Sequence, residues 1–426
     1  MYRRALRASA LVALTFSLVA LAASAAEAKI FVSSAPVGPK GRSCAEPSFN
    51  TVQAAVEAAK GKAIAVCPGT YTEQIAITGK TKLTAAEGPG TATLAMPASP
   101  ARSESECDTK ANESEGPLNQ ADEISICTSA TVTLTGLTVQ AEVPLETCAN
   151  GLNAIFVGGG GKLKTNHIAV EGASTTIEEF KGCQHGVALR VGSASREEVG
   201  HAVVNNSSFS GYEKNGPTVT GAGSTMEIVG SSVTGAGPSS NIAQNGIQVS
   251  SGAQATIRGT SSNQNECNAA GCGPEGTQAT GVLFYQAAPG TRITGSLMAH
   301  DDMGVYYASG SATVPASPDV SIENNLFSAD RYEGIALEEG KASLNTNTID
   351  GPGLVGIGLY QFEESLSASE SSATRETIEG QGAAIKVFSD KQPGDKPGRF
   401  VISHSTHTAD GAVVVNESNN FEVIFE

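Results

Sequence analysis

Residues 293–337, ITGSLMAHDDMGVYYASGSATVPASPDVSIENNLFSADRYEGIAL, carry the same two short phrases twice. The first is an apolar residue, Gly or Asn two places on, and a second apolar residue five places on: Ile293…Met298 and Ile322…Phe327. The second is Gly followed by apolar residues: Gly304-Val-Tyr-Tyr and Gly334-Ile-Ala-Leu. Outward from this window the first phrase recurs at Leu134…Val139, Leu163…Ile168, Val204…Phe209, Ile228…Val233 and Leu344…Ile349. Ile257-Arg258-Gly259 begins it without the closing apolar residue. The second phrase recurs from Gly186, Gly246, Gly281, Gly356, Gly382 and Gly411, with looser copies near Gly151 and Gly216. Between Leu134 and Leu344 the phrases take strict turns. Gly281 follows Gly246 by 35 residues and Gly356 follows Gly334 by 22. One pair of phrases is therefore one coil of at least two short strands, and about ten such coils stack into a solenoid. Period-two alternation turns one set of side chains inward. No coil can bury that set alone, but stacked coils share a continuous core. A β-sandwich would need two-residue Asn-Gly or Asp-Gly hairpins, which are scarce here.

Composition agrees. Among 426 residues there are 48 Gly, no Trp and only 16% charged residues, which suits many short strands joined by turns. Arg3, Arg4 and Arg7, the apolar run Leu11–Ala23 and the small residues ending at Ala25 or Ala28 form a signal-peptide pattern. Residues 1–28 are expected to be removed, leaving one domain over 29–426 and no membrane span. Eight cysteines with an export signal imply an oxidising compartment, so the protein is expected to be secreted. The formal charge of −16 excludes the basic footprint of a nucleic-acid binder. It also opposes anionic polymers.

Residues 48–60 place Val52, Ala55, Val56 and Ala59 on one helical face, with Gly61 as the stop, a short helix fit to cap the open end of the first coil. The stretch TVQAAVEAAKGKAIAVCPGTYTEQIAI (51–77) resembles the N-terminal cap and first coil of the pectin-lyase-like, right-handed parallel β-helix superfamily. The later Gly-Ile-x-Val and Asn-Asn phrases resemble its repeats, so the resemblance runs from Ser48 to Phe421. It implies an all-β, single-stranded right-handed parallel β-helix and leaves the activity open, because one fold hosts many chemistries. It also implies that Asn206, Asn324, Asn325 and Asn347 stack in turns as structural residues.

Cys148 and Cys183 each lie three residues before a strand-opening Gly. In adjacent coils they would sit about 4.8 Å apart, which suits a disulfide. Cys44–Cys67 would tie the cap to the first strand. Cys107–Cys127 and Cys267–Cys272 would close local loops. No C-x-x-C pair points to zinc. The acidic stretches 104–123 and 363–376 are expected to be extruded loops.

With the Gly of the second phrase as position zero, positions +2 and +4 point outward. The +4 column reads Arg190, Ser250, Tyr285, Ala308, Glu338, Tyr360, Lys386, and Tyr306 stands at +2. Tyrosine rings offer apolar platforms with polar tips, as sugars require. The expected carbohydrate strip is Tyr285, Tyr306, Glu338 and Tyr360, with Lys386 and Arg190 further out, set against plain cross-coil stacking of aromatics. His300-Asp301-Asp302 is the densest polar cluster. Calcium or acid–base roles for Asp301 and Asp302 compete with an ordinary exposed turn, and no other cofactor is expected. Enzymes of the superfamily resemble one another in the outward residues of one sheet. Polygalacturonase fragments occur here as Asp301-Asp302, His185-Gly186 and Ile385-Lys386. However, their order is reversed and no Asn-Thr-Asp triplet is present. The +4 column lacks the aspartates of pectate lyases and pectin methylesterases. The leading expectation is a secreted protein that binds a polysaccharide or cell-envelope glycan on one sheet face. A polysaccharide lyase or glycosidase and a structural or adhesive surface module are the alternatives.

Overall fold

Each repeat folds into three short strands rather than two, because the residues after the first phrase bend the chain once more before the Gly-led strand begins. The computed structural model describes residues 29–38, 41–102, 107, 119–149, 151–310, 319–351, 353–362, 369–391 and 395–426. The signal-peptide pattern lies outside these. A typical coil runs Gln254–Arg258, Ser261–Cys267, Thr280–Tyr285. Corresponding strands of successive coils pair in parallel to make three sheets of 14, 12 and 12 strands. The described residues thus hold all three strands of twelve coils, against the expected ten or so. Parallel neighbours need a crossover between them, and chain chirality makes that crossover right-handed.

Inside, like residues stack in columns. Ile257, Ile293, Ile322 and Leu344 succeed one another in the first sheet, and Ile247, Val282, Val305, Ile335, Ile357 and Ile385 in the third. All are buried. In one coil the column falls two residues later than the phrase, on Thr165 and Val170 instead of Leu163 and Ile168. Where the phrase at Ile257 lacks its closing apolar residue, buried Ser262 fills the place and donates to the Gly281 carbonyl at 2.8 Å. The strand-opening glycines answer to space. A Cβ on Gly246 would lie 2.0 Å from Ser262 Oγ, and one on Gly304 would lie 2.5 Å from Phe327 Cδ1.

The N-terminal helix spans Val52–Ala59. Thr51 caps it by accepting the Ala54 N–H, and Glu73 accepts the N–H groups of Val52 and Gln53. Its buried residues Val52, Ala55 and Ala59 join the solenoid core. The four disulfides pair Cys44–Cys67, Cys107–Cys127, Cys148–Cys183 and Cys267–Cys272, with Cα separations of 5.6, 5.0, 5.2 and 5.8 Å. Cys148–Cys183 joins neighbouring coils.

The corner between first and second sheets is built twice over. One residue takes the left-handed conformation: Asn206, Gly230, Gly259, Gly295, Asn324, Thr346, Arg375 and His404 in turn. The next residue forms a ladder. Ser207 N–H donates to Ser231 Oγ, Ser231 to Thr260 Oγ1, Thr260 to Ser296 Oγ, Ser296 to Asn325 Oδ1 and Asn325 to Asn347 Oδ1. Asn347 continues it to Glu376, and Glu376 to Ser405. The ladder satisfies buried N–H groups that face no strand partner.

Two acidic stretches differ from expectation in their described parts. Residues 120–127 form a strand of the third sheet instead of a loop, and Glu123 is 0% exposed on the inner side. Residues 370–374 likewise form a strand of the first sheet. The pleat decides the second, where 370–374 alternate buried and less buried positions, and residues 120–127 pair in register with Gly151–Gly158. Neither carboxyl oxygen of Glu123 has a hydrogen-bond partner, and burial, with the charge of Glu73 adding to it, pushes its pKa up to about 9.

Asn325→Ala removes the acceptor of a buried N–H together with two side-chain donations, so it should cost about 2–4 kcal/mol. Asn324→Gly, which keeps the left-handed turn, should change stability by less than about 0.5 kcal/mol. Urea unfolding checks both. For Glu123 the folded pKa of about 9 stands above the ordinary value of 4.5. The folded state therefore holds the proton longer. Stability from this group is complete at acid pH and falls as pH rises between these values, by at most about 1.4 kcal/mol per unit. Glu123→Gln should lose less stability between pH 5 and pH 9 than the parent chain does.

Candidate functional site

Alternation turns two rows of third-sheet side chains outward, and a break in it at the corner glycine brings a third row, one residue before that glycine, to the same side. One contains Asn215, Asn245, Thr280, Met303 and Glu333. The next contains Arg190, Thr218, Gln248, Leu283, Tyr306, Ala336, Gly358 and Lys386. The last contains Ser250, Tyr285, Ala308, Glu338, Tyr360, Phe388 and Glu417. Arg190 and Lys386 thus belong to the middle row and not with Tyr285 and Tyr360. The reason is local: in their coils the corner position is filled by Ala188 and Ala384, and Gly186 and Gly382 lie two residues earlier.

Over the later coils these rows floor an open cleft of about 730 Å³. Tyr285, Tyr306, Glu338, Tyr360 and Lys386 all line it, while Arg190 lies outside it, toward the N-terminal end of the sheet. Segment 274–278 forms one wall. Phe362 and Phe388 extend the aromatic floor, with Tyr360 and Phe362 stacked at 6.2 Å and 7°. Tyr285 is 47% exposed, an unusual degree for a large ring at the centre of a sheet. A second depression of about 620 Å³ follows the corner ladder, but no ionisable side chain lines it.

The cleft holds a carboxyl that the column reading passed over. Glu333 sits one residue before the strand-opening Gly334, outside the +2 and +4 columns that follow that glycine. The parallel run Asn215, Asn245, Thr280 at the same offset was the available signal. Glu333 is 4% exposed. The Tyr360 hydroxyl donates to its Oε1, and its Oε2 has no hydrogen-bond partner. That oxygen occupies the notch over Gly358, where a Cβ would come within 2.3 Å of it. Burial pushes the Glu333 pKa up to about 7, while the Tyr360 hydrogen bond and the Lys386 charge pull it back. On the same strand, Glu338 accepts from the Tyr306 hydroxyl. Burial and the Glu338 charge hold the Tyr306 phenol well above its ordinary range. Lys386 also faces Glu417 at 3.7 Å.

Asp301 and Asp302 do not form an exposed turn: both are 0% exposed. One oxygen of each is held by protein N–H donors. Asp301 Oδ1 accepts from the backbone N–H and side-chain amide of Asn265, each at 2.8 Å. Asp302 Oδ2 accepts from Cys267 N–H at 3.0 Å and Ala279 N–H at 2.9 Å, and Oδ1 faces Arg331 Nε at 3.3 Å. Cys267 and Ala279 bracket the wall segment, so Asp302 pins both of its ends. Asp330 accepts from the Asp301 N–H, and burial pushes both carboxyls up. Among the described residues no group of three His, Cys, Asp or Glu side chains is placed to hold a metal ion. His185 lies buried elsewhere, 3.3 Å from Glu213.

Three parallel sheets and a capping helix define a right-handed parallel β-helix, with the cleft on the outward face of one sheet. No protein-family model and no curated protein sequence matches the chain. Among solved structures it is similar to XylC in complex with xylose, at TM-score 0.51 and 11% identity, over 93% of this chain and 86% of that one. It is also similar to the catalytic domain of a GH87 α-1,3-glucanase variant in complex with nigerose, at TM-score 0.51 and 11% identity, over 88% of this chain. The match spans 66% of that domain, slightly less than two thirds of its length. Identities this low establish the fold.

Tyr360→Phe deletes the hydroxyl that favours the Glu333 carboxylate, so the Glu333 pKa should rise further above about 7. Carbon-13 NMR of labelled glutamate across a pH series reads the shift. An unchanged midpoint would show that the hydroxyl does not reach the carboxyl in solution.

Proposed function

We propose that the chain is an exported protein that binds a polysaccharide or cell-envelope glycan in the third-sheet cleft. The observation that carries this reading is the exposed Tyr285 ring set in a floor that continues through Tyr306, Tyr360, Phe362 and Phe388. Sugar rings have apolar faces edged with hydroxyls, and the cleft pairs aromatic faces with acceptors and donors at Glu338, Asn245, Thr280 and Lys386. A purely structural aromatic ladder would bury Tyr285 against its neighbours, whereas Ala308 leaves it open on one side.

Charge narrows the ligand. Glu275, Glu333, Glu338 and Glu417 line the cleft against Lys214 and Lys386, and burial lowers the Lys214 pKa. With the acidic chain around it, this favours uncharged glycans over uronates. Two chains of the same fold hold nigerose and xylose, which makes neutral sugars the first probes. The N-terminal pattern and four disulfides support export. Among the described residues no helix is long and apolar enough to cross a membrane.

Tyr285→Ala should weaken binding of a neutral oligosaccharide by about tenfold, near 1.4 kcal/mol, with an unchanged Tm, because the ring is half in solvent and supports no core contact. Calorimetric titration with xylo- and α-1,3-gluco-oligosaccharides checks this. Equal affinity in both chains would remove the tyrosine floor from the binding surface.

A further inference from the structure

We infer that the outward face of the first sheet, over its N-terminal coils, is a second binding surface, which takes a phosphodiester-linked polyol chain. It is separate from the third-sheet cleft and does not rest on the reading given for that cleft. The chain carries 43 acidic and 27 basic residues, so a face free of carboxylates stands out. Four successive strands, Thr81–Ala85, Thr131–Thr135, Gly161–Asn166 and Gly200–Asn205, turn Lys, Thr, Asn, His and Val outward and no Asp or Glu. Lys82, Thr133 and Lys164 follow one another in one row. Thr131, Lys162, His201 and Thr225 follow one another in the next. Lys162 and Lys164 are exposed, and among the described residues neither takes part in an ion pair. The first acid to enter these rows is Glu227, and Arg258 pairs with it at 3.3 Å. A shallow depression of about 520 Å³ runs over Lys162, Lys164 and His201.

Charge alone would accept any polyanion, and the make-up of the face narrows the choice. No Tyr, Phe or Trp lines the depression, so sugar rings and nucleobases find no platform on which to stack. Its cations are ammonium groups and no guanidinium lines it. The guanidinium fork matches a planar carboxylate in two-pronged fashion, whereas an ammonium is a point donor that suits a tetrahedral phosphate equally from any side. Threonine hydroxyls stand between the lysines and can donate to phosphate oxygens or accept from polyol hydroxyls. Lys162 and Lys164 lie two residues apart on one strand, about 6.6 Å, and Lys82 lies two strand spacings from Lys164, about 9.6 Å. Their flexible four-carbon stems let one extended chain meet all three charges. The acidic remainder of the molecule repels such a chain everywhere else, which confines it to this face.

The test uses the full mature chain and poly(glycerol phosphate), with polygalacturonate, single-stranded DNA and phosphatidylglycerol vesicles as rival probes. Affinity is measured by calorimetry. The expected result is binding of poly(glycerol phosphate) that weakens about tenfold between about 50 mM and about 200 mM salt, as for two or three neutralised phosphates. Lys162→Glu with Lys164→Glu should weaken it at least about thirtyfold at the lower salt with an unchanged Tm, because both side chains are exposed. Lys396→Glu, exposed at the far end of the solenoid, should leave it unchanged. If the double charge reversal does not fold, Lys162→Ser with Lys164→Ser takes its place. No binding at the lower salt, or binding that the paired lysine substitutions leave intact, overturns the inference. Tighter binding of polygalacturonate, DNA or vesicles than of poly(glycerol phosphate) overturns the ligand class. None of these outcomes bears on neutral sugars in the third-sheet cleft.

Discussion

Between the two end coils, the described inward side chains stack in columns, each shared between neighbouring coils. Ile335, for example, is closed from one side by Val305 and from the other by Ile357. A coil considered alone exposes its whole inner set, so no coil gains the hydrophobic term until its neighbours arrive in the same register. Register therefore cannot drift. A slip of one residue would turn the aliphatic column to solvent and the outward rows into the core. The helix Val52–Ala59 closes the stack at one end because the first coil has no predecessor to supply that cover.

The corners convert this one-dimensional constraint into a surface. A strand can turn toward the next sheet only if its N–H groups find partners and its backbone finds room. The Ser, Thr and Asn ladder supplies the partners. The glycines from Gly246 to Gly356 supply the room. Once both are fixed, the outward rows of the third sheet are fixed as well. Residues such as Tyr306, Glu333 and Gly358, distant in sequence, then meet at strand spacing. The cleft is a consequence of the stacking and needs no separate scaffold of its own, apart from the wall that Asp302 holds.

The solenoid was legible in the sequence because its signal is repeated. A column of twelve inner residues survives one Ser262 or one shifted Thr165. The outward rows were legible only where Gly marked the same corner in each coil. At Gly186 and Gly382 it did not, and Arg190 and Lys386 were placed one row off. Asp301 and Asp302 read as a surface turn because acidic pairs usually seek water. Here backbone N–H groups of Asn265, Cys267 and Ala279 replace it, and no local pattern announces such distant donors. Glu123 is a harder case, since a carboxyl at an inward position runs against every sequence expectation for a core.

Irregular spacing carries the remaining information. The 35-residue interval from Gly246 to Gly281 exceeds its neighbours, and its excess is the segment between Cys267 and Ala279. That segment adds nothing to the inner column and could have been any length. It is instead closed by Cys267–Cys272 and tied at both ends to one buried carboxylate. Burying Asp302 costs desolvation, which its two N–H donors and Arg331 offset only in part. An ordinary surface loop requires no such arrangement. Tied at both ends, the segment stands at a fixed height beside Tyr285 and Glu338, and in the proposed binding a ligand lying on the sheet would be held only while this second wall stays in place.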